Sequence, residues 1–329
     1  MKATSTSLQS ASVVVTGAGG AIGSRLVRAL AAEGASVTAF DLHPRAAGAE
    51  QDGVHYVQAD ISDTGSLANV LKGADIVYHF AYLMGEEANR DPLSAARINA
   101  VGSTAILQGC LDAGVGRVLM ASSGTVFGSR ADYARHELPL GDHAPKLGAK
   151  GVSVYAAGKI YMELIANYYA DQHGLLVGGL RPGAVIGASR NTGRAKTIAN
   201  IVATAFSGEP AVVAQGRAAF QAIHIDDVVG AFVALATTDP SILAETRFFN
   251  LAGDYATMRS FCDEVSALLP DARFMIEDGD SDEVFGSAAY VLDDGIHNIV
   301  GYKRRYRTLH EAIAAEIMEL QHRIRSPAA

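Results

Sequence analysis

Cysteine is scarce: two in 329 residues, Cys110 and Cys262, far apart and in no metal or redox spacing. That excludes a disulfide framework and fits two buried thiols in a reducing cytoplasm. Cations are also in deficit. Lys and Arg number 27 against 35 Asp and Glu, a net charge of −8. Such a balance argues against a nucleic-acid or anionic-membrane surface. No apolar run reaches the ~18 residues that span a bilayer. Residues 1–10 are polar and Ser/Thr-rich, without the apolar centre of a signal peptide. Internal repeats and low-complexity segments are lacking too. What the chain has is core material: 49% hydrophobic residues against 19% charged, enough for one large or two modest domains.

That material is organised around residues 12–23, SVVVTGAGGAIG. Val13, Val14 and Val15 form the continuous β-branched run of a strand buried on both faces. Gly17, Gly20 and Gly23 follow at fixed spacing, ahead of a helical pattern through Ile22, Leu26, Val27 and Leu30. In a strand–turn–helix context this spacing is a dinucleotide fingerprint. The first glycine allows the tight turn, the second admits a pyrophosphate, and the third lets the helix lie close on the strand. Ala21 and Ile22 open the helix, whose first N–H groups face the phosphates. Asp41 closes a second apolar stretch about 20 residues on. Its carboxylate suits an adenine-ribose diol and repels a 2′-phosphate, favouring NAD over NADP; Arg45 nearby is the counterweight.

The chain then alternates. Residues 54–60, 75–81, 117–121 and 175–180 read as strands, and 62–72, 94–113 and 152–173 as helices, with Ser62 as an N-cap and Gly114 and Gly174 as stops. This implies a parallel α/β sheet, doubly wound in the Rossmann manner. After Arg181 the alternation loosens. Helices are expected at 197–206, 257–269 and 309–325, and short strands at 211–214 and 222–225, with 248–251 able to return to the main sheet. The expected division is a nucleotide-binding domain over 1–182, with return segments in about 222–252, and a mainly substrate-binding lobe over 183–329.

Tyr155 and Lys159 lie four apart on the long helix and so share a face. Ser122 and Ser123 follow the fifth strand, at the edge where ligands bind in open α/β sheets. A serine, a tyrosine and a lysine beside a nicotinamide form a proton-transfer set. A nearby ammonium favours the phenolate and lowers a tyrosine from its ordinary ~10. Either piece alone is commonplace structure; their joint order behind the glycine fingerprint points to catalysis.

These pieces, with Asp60 and Ile61, VYHFA at 77–81, Asn99, SSGTVFG at 122–128, YAAGK at 155–159, RPG at 181–183, IHIDDV at 223–228 and FNLAG at 249–253, resemble the extended short-chain dehydrogenases/reductases, the NAD-dependent epimerase/dehydratase family. The resemblance implies NAD as cofactor and a small-molecule substrate. It puts Asp60 and Ile61 by the adenine, Ala81 along the cofactor groove, Pro182 near the nicotinamide, and Asn99 in support of Lys159. Ser123 would hold the substrate oxygen, and Lys159 the nicotinamide ribose. Where the family usually has a small residue, this chain has Tyr82.

Nucleotide-sugar members commonly carry an arginine just before the Ile-His strand. Here Phe220, Gln221 and Ala222 stand there, and Arg217 is three residues early, although Arg190, Arg194 and Lys196 offer compensation. Residues 82–87 and FNLAG lean toward a threonine-dehydrogenase-like or sugar-dehydrogenase-like branch. Tyr82, Met84, Thr125 and His224 are candidate substrate neighbours, His224 equally a satisfied histidine beside the pocket. The loop 128–151 holds Asp132, His136, Glu137, Asp142 and His143 without tight ligand spacing, so a solvated lid is expected and no metal. The expectation is an NAD-dependent dehydrogenase of a small polar or sugar-like alcohol. An epimerase or dehydratase with tightly bound NAD is the alternative, and a non-catalytic NAD sensor a further one. Apolar residues such as Ile106, Tyr161 and Met162 suggest an excess face on the two long helices, and the resemblance implies a homodimer through them.

Overall fold

The computed structural model describes residues 7–44, 50–128, 132–143, 145, 153–187, 193–278, 292–293, 296 and 300–325. Arg45 and Arg190 lie outside the described residues, as do 129–131, 144 and 146–152 of the loop and the side chain of Arg194.

Seven parallel strands make the main sheet. They are β1 (Ser12–Thr16), β2 (Ser36–Asp41), β3 (Val54–Gln58), β4 (Ile76–His79), β5 (Arg117–Ala121), β6 (Val177–Pro182) and β10 (Phe248–Leu251), in the order β10-β6-β5-β4-β1-β2-β3. β1 pairs with β2 on one side and β4 on the other. The order reverses there, so the crevice for a ligand opens above the carboxyl ends of β1 and β4. The β1 valines alternate between two cores. Val13 and Val15 join one with Tyr78, Leu180 and Phe249; Val14 joins the other with Val77, Val118 and Met120. Helices α1 (Ala21–Ala32) and α8 (Ile225–Thr237) cover the first face, with Leu26, Leu30, Val228 and Phe232 buried in its core. Helices α2 (Thr64–Leu71), α5 (Ser103–Ala113) and α6 (Val154–His173) cover the second. The sheet is the Rossmann-type, doubly wound sheet that the alternation implied.

Two local expectations are corrected. Ser62 does not cap α2: its backbone N–H and hydroxyl both bond the Asp60 carboxylate at 2.8 Å. Asp63 is the cap, accepting from the N–H groups of Gly65 and Ser66. The helix expected over 94–113 is also not uniform. A short helix α4 (Pro92–Ala95) passes into a π-helical stretch, Ala96–Gly102, before α5. The hydroxyls of Ser103 and Thr104 donate to the carbonyls of Asn99 and Ala100, each four residues back, where backbone N–H groups would otherwise compete.

The rest of the chain builds a three-stranded sheet, β11 (Asp254–Thr257), β9 (Ala219–His224) and β7 (Ala184–Ile186), and a parallel pair, β8 (Ala211–Val213) with β12 (Phe274–Ile276). α7 (Gly193–Phe206), α10 (Met258–Leu268) and the helix Leu309–Arg325 pack around them over a separate core that includes Phe220, Phe261 and Ile313. Thus β9 lies in this second sheet, while α8 and β10, which follow it, belong to the first. Arg25 of α1 ties the two parts, bonding Asp226 at 2.7 Å and also Glu319.

Glu316, on that last helix, is fully buried, and neither carboxylate oxygen has a hydrogen-bond partner among the described residues. Burial, with Glu319 adding to it, pushes its pKa up to about 8. As pH rises from about 4.5 to 8 the unfolded chain gives up this proton while the folded chain keeps it, so folding loses stability through that window. Glu316→Gln should abolish that loss. Urea unfolding is expected to find the variant equal to the parent near pH 4 and more stable by a few kcal/mol at pH 8. Identical pH dependence of the two proteins would overturn the assignment.

Candidate active site

The glycine turn leaves β1 at Gly17, whose φ of +69° favours glycine; a Cβ there would lie 2.5 Å from the backbone of Phe80 and Ala81. Gly23 presses against the turn, and its Cβ would fall 2.2 Å from the Gly17 carbonyl oxygen. Gly20 differs. A Cβ there would meet only that same oxygen, at 3.2 Å, and Gly20 stands at the N-cap of α1 with no side-chain cap and no acidic residue in the first turn. An uncapped helix start behind an open glycine is a cradle for an anion. Asp41, at the end of β2, closes over the turn: Oδ2 accepts from the Gly19 N–H and Oδ1 from the His43 N–H, both at 2.9 Å. Asp60 bonds its own turn through Ser62, which holds its carboxyl below the usual range. Ile61 beside it is buried against Gly102.

At the end of β4 a buried chain crosses the crevice. The Thr16 hydroxyl meets His79 Nδ1 at 2.9 Å, and His79 Nε2 meets the Ser103 hydroxyl at 2.9 Å. Ser103 donates its one proton to the Asn99 carbonyl at 2.7 Å. It therefore accepts from His79, which fixes the Nε2–H tautomer. Burial, then Lys159, depresses the His79 pKa to about 3, so the ring stays neutral. The N–H groups of Phe80 and Ala81 donate to Thr16 Oγ1. Asn99 clamps Leu83, accepting from its N–H at 2.8 Å and donating to its carbonyl at 2.9 Å. Asn99 thus acts on the segment that carries Tyr82 and Met84. Met84 is the N-cap of α3 (Gly85–Arg90).

Lys159 is buried at 4% exposure. Its Nζ donates to the Ala121 carbonyl at 2.5 Å and stands 3.4 Å from the centroid of the Tyr82 ring and 5.7 Å from that of Tyr155. Burial lowers its pKa to about 7, against a pull upward from Glu163. Tyr82 and Tyr155 meet edge to face, centroids 5.5 Å apart at 86°. Ser123 caps the 3₁₀ turn Gly124–Phe127, its Oγ accepting from the Thr125 N–H at 3.2 Å and the Thr125 hydroxyl at 3.0 Å. Pro182 ends β6, buried beside Leu251.

Sequence reasoning missed what lies beneath. Glu163, one turn beyond Lys159, takes a bidentate pair from Arg181 at 2.8 and 2.7 Å and a hydrogen bond from Ser122. Arg181 Nη1 also donates to the Asp142 carbonyl at 2.6 Å. The spacing 155, 159, 163 on one helix face was the available signal. Three of the loop's acids and histidines make structural bonds. Asp142 accepts from the Asn250 N–H, Glu137 from the Ala134 N–H, and His143 meets Thr246. Among the described residues no group of three metal-ligating side chains comes together. His224 is buried at the N-cap of α8, Nδ1 accepting from the Asp226 N–H, with its ring 4.4 Å from that of Tyr306. Arg217 is exposed and pairs with Asp278 at 3.5 Å.

Over residues 13–258 the chain matches the NAD dependent epimerase/dehydratase family, and it belongs to that family. It is 30% identical to a UDP-glucose 4-epimerase of Mycolicibacterium smegmatis over 67% of this chain and 71% of that protein. It is 33% identical to an L-arabinose 1-dehydrogenase (NAD(P)(+)) of Haloferax volcanii over 53% of this chain and 66% of that protein. Among solved structures, a partial consensus L-threonine 3-dehydrogenase superposes with a TM-score of 0.83 at 23% identity, over 94% of this chain and 99% of that one. NAD is the cofactor of the family, and the open glycine and uncapped helix start fit its pyrophosphate. No helix among the described residues is long and apolar enough to cross a membrane.

The two glycines separate folding from binding. Gly23→Ala forces a methyl into the Gly17 carbonyl and should lower stability by ~1–3 kcal/mol or more. Gly20→Ala should cost distinctly less while reducing NAD affinity. Thermal unfolding and NAD titration of both variants check this; equal destabilisation would refute it.

Proposed function

We propose that the chain is an NAD-dependent oxidoreductase of the extended short-chain dehydrogenase type, acting on a secondary alcohol of a small polar or sugar-like molecule. The observation that carries the reading is Lys159: an ammonium buried at the carboxyl end of β5 and one turn from Tyr155, with a pKa brought near 7. A cation so placed favours the Tyr155 phenolate.

Gly17, Gly20 and Gly23, with the first turn at Ala21 and Ile22, would hold the pyrophosphate. Asp41 would hold the adenine ribose, Asp60 and Ile61 the adenine side, and Ala81 and Pro182 the groove toward the nicotinamide. Asn99 serves this groove through Leu83. Bound NAD supplies the hydride acceptor. Tyr155 takes the hydroxyl proton as the carbinol carbon loses hydride and its C–O bond becomes a carbonyl. Ser123 already accepts two hydrogen bonds at Oγ, so its own proton is the one to offer a substrate oxygen. Tyr82, Met84, Thr125 and His224 would border that substrate. A reducing cytoplasm suits the two buried thiols.

The epimerase reading draws on the Mycolicibacterium relative. Against it, the buried β9 positions ahead of Ile223 are Phe220, Gln221 and Ala222, and Arg217 is spent at the surface on Asp278. A buried diphosphate needs a paired cation.

Tyr155→Phe should lower turnover by at least ~100-fold while NAD still binds. A panel of secondary alcohols, followed by NADH absorbance, provides the assay. Near-parental turnover of the variant would remove Tyr155 from its role, and productive substrates with no net NADH would favour the epimerase. NAD should bind tighter than NADP because of Asp41, and the reverse order of dissociation constants would overturn that.

We also propose a homodimer. Ile106 and Met162, expected on an outer face, are buried in the core, whereas Leu93 at 82%, Val101 at 62% and Tyr168 at 53% exposure stand outside with Leu164 and Tyr161. These apolar side chains lie on the stretch from α4 into α5 and on α6, a self-complementary pairing for two-fold symmetry. Light scattering should give about twice the 34.3 kDa chain mass, and Leu164→Glu with Tyr168→Glu should return it to one chain. A monomeric parent would refute the dimer, and a doubly charged variant that stays dimeric would refute the interface.

A further inference from the structure

Tyr82 meets three residues of the Y-A-A-G-K turn, Tyr155, Gly158 and Lys159. Its ring lies edge to face with Tyr155, and its hydroxyl donates to the Tyr155 carbonyl at 3.3 Å. The Lys159 ammonium stands 3.4 Å from its centroid. Gly158 is cut to fit it: a Cβ at Gly158 would lie 2.2 Å from the Tyr82 oxygen. From the other side, Asn99 clamps the next residue, Leu83, through both backbone groups. A ring held from two directions with a cation at its face is a built seat.

We propose that Tyr82 is a positioning residue whose ring face seats the Lys159 ammonium beside Tyr155 and keeps it charged there. This rests on the proposed role of Lys159 but reaches beyond it, to a side chain outside the Ser-Tyr-Lys set.

The groups around Lys159 assign the ring its task. On α6, Tyr155 and Glu163 flank it; Glu163 pulls its pKa up but is itself bound by Arg181 and Ser122. From β4, the neutral His79 faces it. From β5, the Ala121 carbonyl takes one of its three donors. Burial works against the charge and is the largest influence on it. The π face of Tyr82 acts on the same side as Glu163, because a ring quadrupole attracts a desolvated ammonium. Burial also raises the Tyr82 phenol well above its ordinary value. The ring thus stays neutral, and its hydroxyl stays a donor to the helix.

The test needs neither substrate nor cofactor. In the full chain with ¹⁵N-labelled lysine, the Nζ signal of Lys159, assigned by its loss in Lys159→Arg, is titrated by NMR. Three proteins are compared: the parent, Tyr82→Phe, and a protein with a ring-fluorinated phenylalanine encoded at 82, which keeps the shape and removes the quadrupole. Tyr82→Phe should leave the midpoint within a few tenths of a unit of the parent. The fluorinated ring should lower it by about half to one unit, the cation–π range on the pKa scale. Gly158→Ala, which displaces the ring, should lower it too. Equal midpoints for Phe and its fluorinated form would overturn the proposal, whatever the fate of Tyr155→Phe in turnover. A shifted midpoint would uphold the seat even if the oxidoreductase reading fell.

Discussion

A lysine ammonium buried at the edge of a parallel sheet is an expensive object, and the structure around the site is arranged to keep it there. Removing an ion from water costs several kcal/mol unless partners restore what solvent gave. Lys159 has the Ala121 carbonyl, the Tyr82 ring and, one turn along the helix, the Glu163 carboxylate. Glu163 is buried as well and brings its own demand, which Arg181 meets with two parallel hydrogen bonds and Ser122 with one. Arg181 in turn reaches the Asp142 carbonyl. The alternation of charge, plus, minus, plus, is what permits three ionisable side chains in one buried volume. It also pins together the end of β5, helix α6, strand β6 and the loop before α6.

The crevice side is held by neutral groups. From Thr16 through His79 and Ser103 to Asn99, each proton has one direction to go, because the serine must donate to a carbonyl. With the imidazole pKa near 3, that direction is fixed across the working pH range. The π-helical stretch presents Asn99, and Ser103 reaches back four residues to its carbonyl. The chain thus connects the glycine turn, through backbone clamps at Ala81 and Leu83, to the ring under Lys159. The cofactor crevice and the charged cluster are one mechanical unit.

Much of this was legible in the chain. Three valines in a row mark a strand covered on both faces, and the glycines at 17 and 23 are required by contacts that any side chain would violate. Long-range consequences were harder to read. Ser62 looks like a cap until Asp60 is seen to occupy both its donors. Ile106 and Met162 look like surplus because helical spacing alone does not reveal how wide a stripe the sheet will cover; both are buried. Glu163 and Arg181 are 18 residues apart, and nothing local says that one neutralises the other. Helix α8 was overlooked behind IHIDDV, where the cap is the histidine itself.

Family membership constrains the chemistry more tightly than the substrate, and the geometry explains why. The Tyr155–Lys159 face is anchored by charge and by packing into the sheet. Gln221, on β9 two residues before Ile223, is committed at both ends of its amide to the backbone of Leu292, accepting at 2.8 Å and donating at 3.4 Å. Leu292 also bridges to Leu140, two residues before Asp142, whose carbonyl receives Arg181. Gln221 thus joins the second sheet to the charged cluster. Substituting Gln221 would therefore do more than change one side chain. It would release Leu292 and loosen the loop that meets Arg181, so a change on β9 reaches the network that keeps Lys159 buried.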